Sequence, residues 1–418
     1  MIKKLKVEKL KIENSRVLIN SLKIKNFRAL QNFEVSKLGR INLIVGKNNS
    51  GKSTVLEALR IYAGGANPLL MEQIASDHDE KTRIVNHESM DEISELPFQH
   101  FFTGRVFPEA DDIEIYIGEN YPETNHYLKI NHRFIEEYEV EEKQDDGESI
   151  FRTNTRIIPK ENLSNIGNNY LRQFLTIKNG ETKGLGIIEL DEPISGKLRN
   201  TYWDSRENTP CSYLPTQFVS VDDLADIWDN ILFSDYASSV KQGLAIIAED
   251  FEDLGFVKSE LGVGMGLSQW SRGLPMPGSQ FRRTCKVKLK NINRAVPLNS
   301  LGDGMLRVLQ LMFKIFPAKG GFLLIDEFEN GLHFTIQEKV WRLIFDLAEK
   351  LDIQVFATTH SWDCIESFAK VAVERTDVEG VLFRVGRSIK SSDQGRIIAT
   401  VFDEDKLFSI TQADVEVR

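Results

Sequence analysis

The sequence predicts an α/β fold: a mostly parallel sheet joined by an antiparallel β-lobe and a helical insertion. Three observations predict it. Short, largely apolar runs of strand length occur at Ile41-Asn42-Leu43-Ile44-Val45, Phe322-Leu323-Leu324-Ile325 and Ile353-Gln354-Val355-Phe356-Ala357-Thr358. Each is followed by a segment with apolar residues at helical spacing, and strands alternating with helices make a sheet covered on both faces. Between the first run and its helix lies Gly46-Lys47-Asn48-Asn49-Ser50-Gly51-Lys52-Ser53-Thr54, a Gly-rich turn in the setting strand, turn, helix.

Taken in order, the Lys/Glu-rich first 20 residues read as an edge strand or a loose arm. Leu22-Lys23-Ile24-Lys25-Asn26-Phe27 alternates apolar and polar residues, as a half-buried strand does, and Asn32-Phe33-Glu34-Val35 reads as a second. Residues 63–110 are mixed and read as loop plus short helices. Asp112-Ile113-Glu114-Ile115-Tyr116-Ile117 and Tyr127-Leu128-Lys129-Ile130-Asn131-His132-Arg133-Phe134 alternate again, with turn residues between them, as in an antiparallel lobe. The acidic run 136–148, ending near Asp145-Asp146-Gly147, reads as a solvated hairpin tip. Residues 222–251 read as helical, with Leu224, Ile227, Trp228, Ile231 and Leu232 on one face and Asp222 or Asp223 as the cap. Residues 262–280 are rich in Gly, Ser and Pro and read as a loop. Helices are then expected over 306–316, 334–351 and 362–369. The expected divisions are 1–62 and 281–418 for the sheet-based part, and 63–280 for an inserted lobe and helical region.

A chain of 418 residues, 27% charged and 41% hydrophobic, suits a soluble protein of two or three folding units. No apolar run approaches the roughly 18 residues of a membrane span, and the basic start lacks the apolar core of a signal peptide. No membrane partner is expected. Cys211, Cys285 and Cys364 are too scattered for a disulfide framework or a zinc site, so a reducing cytoplasm is the expected location. The net charge of −10 means that nucleic-acid binding would need a local basic patch.

The stretch 46–54 fits G-x-x-x-x-G-K-[ST], the phosphate-binding P-loop. Gly46 and Gly51 let backbone N–H groups close on phosphate oxygens, and the helix N-terminus adds partial positive charge. Lys52 would reach the β- and γ-phosphates, and the Ser53 hydroxyl would ligate Mg²⁺. Asp326-Glu327 directly follows its apolar run, at the strand end where parallel sheets hold ligands. Asp326 would hold the metal, and Glu327 would polarise the attacking water. His360, just past the neighbouring strand, would orient the water or donate to the γ-phosphate.

In this order the P-loop, Ser300-Leu301-Gly302-Asp303-Gly304, Asp326-Glu327 and His360 resemble the ABC-type ATPase heads of the SMC, Rad50, RecF and OLD branch. Residues 301–304 resemble the signature motif, with Asp303 in place of a glycine. Glu329-Asn330-Gly331-Leu332-His333 resembles the branch's D-loop, with Phe334 in place of proline, and Phe27-Arg28 resembles the site of an arginine that meets the nucleotide. The resemblance implies a P-loop NTPase head that binds ATP and Mg²⁺ and hydrolyses ATP in a sandwich of two copies, as a homodimer or a higher oligomer. ATP contacts would come from Arg28, Gly46, Asn48, Asn49, Ser50, Gly51, Lys52, Ser53 and Thr54. Ser300, Gly302 and Gly304 would close on the phosphates held by the partner. Gln99 and Gln217 are the candidates for the metal-sensing glutamine.

The resemblance also implies a regulatory ATPase of the OLD kind, serving bacterial defence against phage. After His360 the rest of the chain carries no TOPRIM-like or HNH-like constellation, so the effector, a nuclease or toxin, is expected on a separate chain. Phe402-Asp403-Glu404-Asp405 reads as solvated charge. The alternative is a RecF-like repair ATPase that binds DNA. For it speaks Arg282-Arg283-Thr284-Cys285-Lys286-Val287-Lys288-Leu289-Lys290, whose alternation sets Lys286, Lys288 and Lys290 on one strand face. The N-terminal Lys3, Lys4, Lys6, Lys9 and Lys11 are similar but interspersed with Glu8 and Glu13. A binding scaffold without turnover is disfavoured by Glu327. Nothing in the sequence reads guanine.

Overall fold

The computed structural model describes residues 18–80, 83–85, 92–94, 97–120, 124–143, 149–165, 171–180, 185–190, 209–217, 219–259 and 282–402. The lysine-bearing arm at 1–17, the tip Asp145-Asp146-Gly147, the loop 262–280 and Asp403-Glu404-Asp405 lie outside the described residues. Backbone contacts divide the chain into two units, one of Val17–Cys211 with Val381–Asp403 and one of Ser212–Gly380.

In the first unit, β1 (Leu22–Phe27) and β2 (Leu30–Val35) form an antiparallel hairpin closed at Phe27↔Leu30. Its turn holds Arg28 at φ +49. β3 (Ile41–Val45) is buried along its whole length, as its apolar run requires. It leads through the Gly-rich turn into α1 (Lys52–Ala63). α2 (Pro68–Asp77) starts as a helix should. Asn67 caps it by accepting from the Leu69 and Leu70 amides, and Pro68 takes the first turn, where no N–H is missed. The short strands β4 (Arg83–Val85) and β5 (Glu92–Ser94) pair antiparallel.

The antiparallel lobe follows as β6 (Ile115–Gly118), β7 (Tyr127–Lys143), β8 (Ser149–Ile158), β9 (Leu171–Asn179) and β10 (Leu185–Glu189). Strand order is β10-β9-β7-β6-β1-β2, with β8 also on β7. The hairpin strands β1 and β2 thus belong to the lobe's own sheet, joined through Ile24↔Ile117. β7 and β8 pair from Phe134↔Ile158 to Lys143↔Ser149, which puts the described part of the acidic run, 136–143, on a hairpin strand.

In the second unit, β11 (Cys211–Leu214) precedes α3 (Val221–Ile231) and α4 (Asp235–Ala245). The sequence suggested one helical stretch from 222 to 251. Instead the chain breaks after Ile231, Ser234 caps α4, and Phe251 already belongs to a strand. The cap of α3 is Ser220, which accepts from the Asp223 amide; neither Asp222 nor Asp223 serves. Both aspartates lie in the first turn, where their charge suits the positive helix end. β12 (Phe251–Ser259), β13 (Arg282–Leu289) and β14 (Val296–Pro297) form a small antiparallel sheet. Then come α5 (Asp303–Ile315), β15 (Phe322–Ile325), α6 (Phe334–Lys350), β16 (Gln354–Thr359) and α7 (Trp362–Glu374). β15 lies between β11 and β16, and it runs parallel to β16 with Ile325 opposite Ala357. Trp341 of α6 stacks on Phe328 at 3.9 Å and meets Phe368 of α7 edge-on at 5.1 Å. This aromatic group anchors the loop that leaves β15.

The chain then returns to the first unit with β17 (Gly380–Arg387) and β18 (Ile397–Phe402), an antiparallel pair in which β17 lies beside β3. The segment 63–280 therefore contributes to both units, the antiparallel lobe to one and α3, α4 and β12 to the other.

Candidate active site

The first unit presents the Gly-rich turn. Lys47, Asn48 and Asn49 are exposed, Asn49 at φ +60, and the Ser50 amide closes the turn on the Lys47 carbonyl at 3.2 Å. Gly51 sits at φ +104 as the N-cap of α1, without a capping side chain. The N-terminal end of the helix carries partial positive charge, which suits an anion. At Gly46 a Cβ would lie 2.4 Å from the Val385 carbonyl of β17, so only glycine fits there. The Lys52 ammonium donates to the Gly46 and Lys47 carbonyls at 2.8 and 3.0 Å, which holds it across the mouth of the turn. Ser53 is exposed and Thr54 half-buried on the first turn of α1. Glycine conformations, an uncapped helix start and a tethered lysine fit a polyphosphate.

Arg28 takes a more internal position than a nucleotide contact. Its Nε lies 2.9 Å from Glu57 of α1, and its two terminal nitrogens donate to both oxygens of Glu80 at 2.6 and 3.0 Å. The guanidinium also lies 5.0 Å over the Phe101 ring. Its fork is thus spent on two carboxylates, and it ties the β1–β2 turn to α1. His78 completes the group through Glu57 at 2.6 Å, a bond that raises its pKa.

The second unit presents the carboxylates. Asp326 and Glu327 lie just past the end of β15. The Asp326 amide donates to the Leu214 carbonyl at 2.9 Å, and Oδ1 accepts from the Thr358 hydroxyl at 2.6 Å. The same hydroxyl accepts from the Glu327 amide at 2.9 Å. Thr358 is fully buried on the neighbouring parallel strand, so strand register sets both carboxylate positions. Glu327 then turns at φ +47, a conformation that costs a non-glycine residue about 1 kcal/mol or more. Its carboxylate is about one-third exposed. The His360 Nδ1 lies 3.8 Å from Glu327 and 3.1 Å from Glu329, and the His360 amide donates to Glu329 at 2.9 Å. Glu329 is therefore the residue that holds His360 beside Glu327.

The signature-like turn belongs to the same unit. Gly302, at φ +90, is exposed, a Cβ there would meet nothing within 4 Å, and it opens α5 without a capping side chain. The Ser300 hydroxyl donates to the Pro297 carbonyl, and Gly304 packs toward Gly331. Within α5 lies Arg307, 2% exposed. It donates to the carbonyls of Pro215, Asp326 and Glu327 at 2.7, 2.7 and 2.9 Å. Burial pulls its pKa down to about 10 against the opposing pull of Asp326, Glu329 and Glu327. Sequence reasoning missed Arg307, Thr358 and the part played by Glu329. The signal for Arg307 was present: one arginine among Met305, Leu306, Val308, Leu309 and Leu311. Gln217 is exposed beyond β11, and Gln99 is half-buried in the turn Pro97–Phe101.

Two family models match the chain. Residues 18–192 match the "AAA ATPase domain" model, and residues 288–363 match the model "AAA domain, putative AbiEii toxin, Type IV TA system". An OLD nuclease of Thermus scotoductus is 23% identical over 82% of this chain and 59% of that protein. The RecF replication and repair protein of Shewanella pealeana is 32% identical over 91 residues, 21% of this chain and 25% of that one. Both stretches that carry the candidate site are thus similar to AAA-type domains. The chain is also similar to an ATP/GTP phosphatase of Helicobacter pylori, at 24% identity over 86% of this chain and 89% of that protein. The two family matches fall on both units, and they include the Gly-rich turn and the carboxylate pair.

On β13 and just past its end, Lys286, Lys288 and Lys290 are exposed while Cys285, Val287 and Leu289 are buried, as alternation requires. Part of that charge is already answered. Lys288 pairs with Glu252 at 2.6 Å, and Arg283 forks onto Asp229 at 2.7 and 2.9 Å.

Proposed function

We propose that the chain is an ABC-type ATPase head that binds ATP through Gly46, Asn48, Asn49, Ser50, Gly51, Lys52, Ser53 and Thr54, and hydrolyses it with Glu327 as the base. The observation that carries this reading is the fixed pair at the end of β15. Thr358 clamps Asp326 by its side chain and Glu327 by its backbone, which leaves the Glu327 carboxylate free to accept a proton from water. Glu329 holds His360 alongside, where its ring can orient that water. The Ser53 hydroxyl and the Asp326 carboxylate are hard oxygen donors of the kind Mg²⁺ takes. When bound, Mg²⁺ neutralises charge on the β- and γ-phosphate oxygens. Lys52 adds a fixed positive charge, and the N-terminal end of α1 adds the partial charge of the helix dipole.

The working unit in this reading is a homodimer assembled on ATP, with Gly302 and Gly304 of one copy completing the site of the other. The open helix start at Gly302 supports it: an uncapped, exposed N-terminus suits an incoming phosphate. The head then acts as the regulatory ATPase of a bacterial anti-phage system, in the cytoplasm, and controls a nuclease or toxin effector. The OLD nuclease relative supports the first kind of effector, and the toxin-system family model supports the second. The exposed lysines of β13 favour a RecF-like DNA-binding ATPase as the second reading.

One set of measurements tests these readings. ATP turnover is measured for the wild type, Glu327→Gln and Lys52→Ala, with light scattering with and without ATP. Turnover lost in Glu327→Gln with the ATP-dependent dimer retained supports the assignment; undiminished turnover sinks it. Stimulation by DNA at stated salt that vanishes in Lys286→Ala/Lys288→Ala would select the second reading, whereas co-purification of a nuclease or toxin chain would select the first.

A further inference from the structure

We infer that Arg307 is a positioning residue that joins the signature-like helix α5 to the catalytic carboxylates, so that the orientation of α5 sets the aim of Glu327. The inference rests on the reading of Glu327 as the base. Three backbone carbonyls converge on one guanidinium: Pro215 after β11, and Asp326 and Glu327 after β15. Each belongs to a loop that leaves a strand at the same end of the sheet, and Arg307 is the group on α5 that reaches all three. A planar fork with fixed N–H directions holds several acceptors at once, which a flexible ammonium does not.

The contact continues along the helix. A Cβ on Gly304 would lie 3.1 Å from the Gly331 carbonyl, and one on Gly331 would lie 3.5 Å from the Asp303 carbonyl and 3.6 Å from the Arg307 Cβ. The first turn of α5 therefore packs backbone to backbone on the loop that carries Glu327 and Glu329. Glu327 sits at φ +47, and its carbonyl is one of the three that Arg307 holds. Such a conformation persists only where its surroundings over-determine it. Arg307 and Thr358 supply that determination from the two sides of the residue, one at its carbonyl and one at its amide. A phosphate that engages the Gly302 end of α5 thereby acts on the base through a short rigid connection.

Arg307→Lys keeps the charge and length but lacks the fork. We expect it to fold, to leave KM for ATP within about twofold, and to lower kcat by about 10- to 100-fold, the range for supporting residues whose loss shifts a catalytic group. Millimolar guanidinium should partly restore kcat in Arg307→Ala. A readout independent of turnover is amide hydrogen exchange over residues 326–331, which should quicken in Arg307→Lys while α6 and α7 keep their protection. An unchanged kcat, a loss that falls on KM alone, unaltered exchange over 326–331, or unfolding of both variants would overturn the inference. Failure of the base assignment is distinct: Glu327→Gln would then hydrolyse ATP normally, whatever Arg307→Lys does.

Discussion

At the scale of residues, the proposed chemistry depends on a few groups held in place by neighbouring backbone and side chains. Lys52 is held by two carbonyls of the turn it serves. Lys52→Ala should abolish ATP binding measured with a fluorescent analogue, while the melting temperature in the absence of nucleotide stays close to that of the wild type. Glu327→Gln keeps the shape of the side chain and removes the base; kcat should fall about 10²- to 10⁴-fold with ATP affinity retained. Thr358→Val preserves volume but removes both hydrogen bonds of the hydroxyl. It should cost about 1–3 kcal/mol in urea unfolding, because buried partners are left unpaired, and it should lower kcat. A variant with normal kcat would show that Asp326 and Glu327 hold their places without Thr358. Asp326, Glu327 and His360 were legible in the sequence because each directly follows a strand-length apolar run. Thr358 reads in the sequence only as the end of a strand-length run, since nothing in its neighbours reveals that its hydroxyl reaches Asp326 and Glu327.

At the scale of elements, the strands and helices that carry the site are where the apolar pattern put them. Their junctions depend on packing. Gly51→Ala places a methyl group 3.2 Å from Ile397 of β18 at φ +104, a conformation that costs about 1–2 kcal/mol for any residue with a Cβ. Reduced thermal stability together with weaker nucleotide binding is expected; unchanged ATP affinity would mean that the turn tolerates the strain. That β18, late in the chain, supports a turn near its start could not be read from spacing. The α3 cap shows a simpler limit. Asp222, Asp223 and Ser220 are all capping types, and only the start of the helix at Val221 selects Ser220. Ser220→Ala should cost about 1 kcal/mol in urea unfolding. No loss would mean that the helix end is satisfied by other groups. The break between α3 and α4 escaped the sequence reading because the apolar spacing runs on through Ile231 and Leu232, although Ser234 offers a second cap.

At the scale of the whole molecule, the antiparallel lobe carries a pH dependence of its own. His132 is buried on β7, stacked on Phe107 at 4.0 Å with its Nε2 3.1 Å from Gln173. Burial, aided by Lys160, lowers its pKa to about 4. Between that value and the ordinary 6.5 the unfolded chain binds a proton that the folded chain refuses. The stability that His132 contributes is therefore complete above pH 6.5 and is lost as pH falls toward 4, by about 3 kcal/mol in all. Urea midpoints at pH 7.5 and 4.5 should differ more for the wild type than for His132→Phe; equal differences would remove His132 as the source. The same residue marks the boundary between pattern and packing. The alternation around His132 showed a strand, but its neutral state depends on Phe107, Lys160 and Gln173, which the fold brings from separate segments. The sequence by itself determined the α/β class, the Gly-rich turn between β3 and α1, and the places of Asp326, Glu327 and His360 just past strand ends, because each is a local pattern with a local physical cause. Only the tertiary structure decided that Arg28 answers Glu57 and Glu80, that Thr358 and Arg307 hold the carboxylate loop from two sides, and that β1 and β2 join the lobe. Those outcomes depend on which distant segments meet, and hydrophobic periodicity does not encode that.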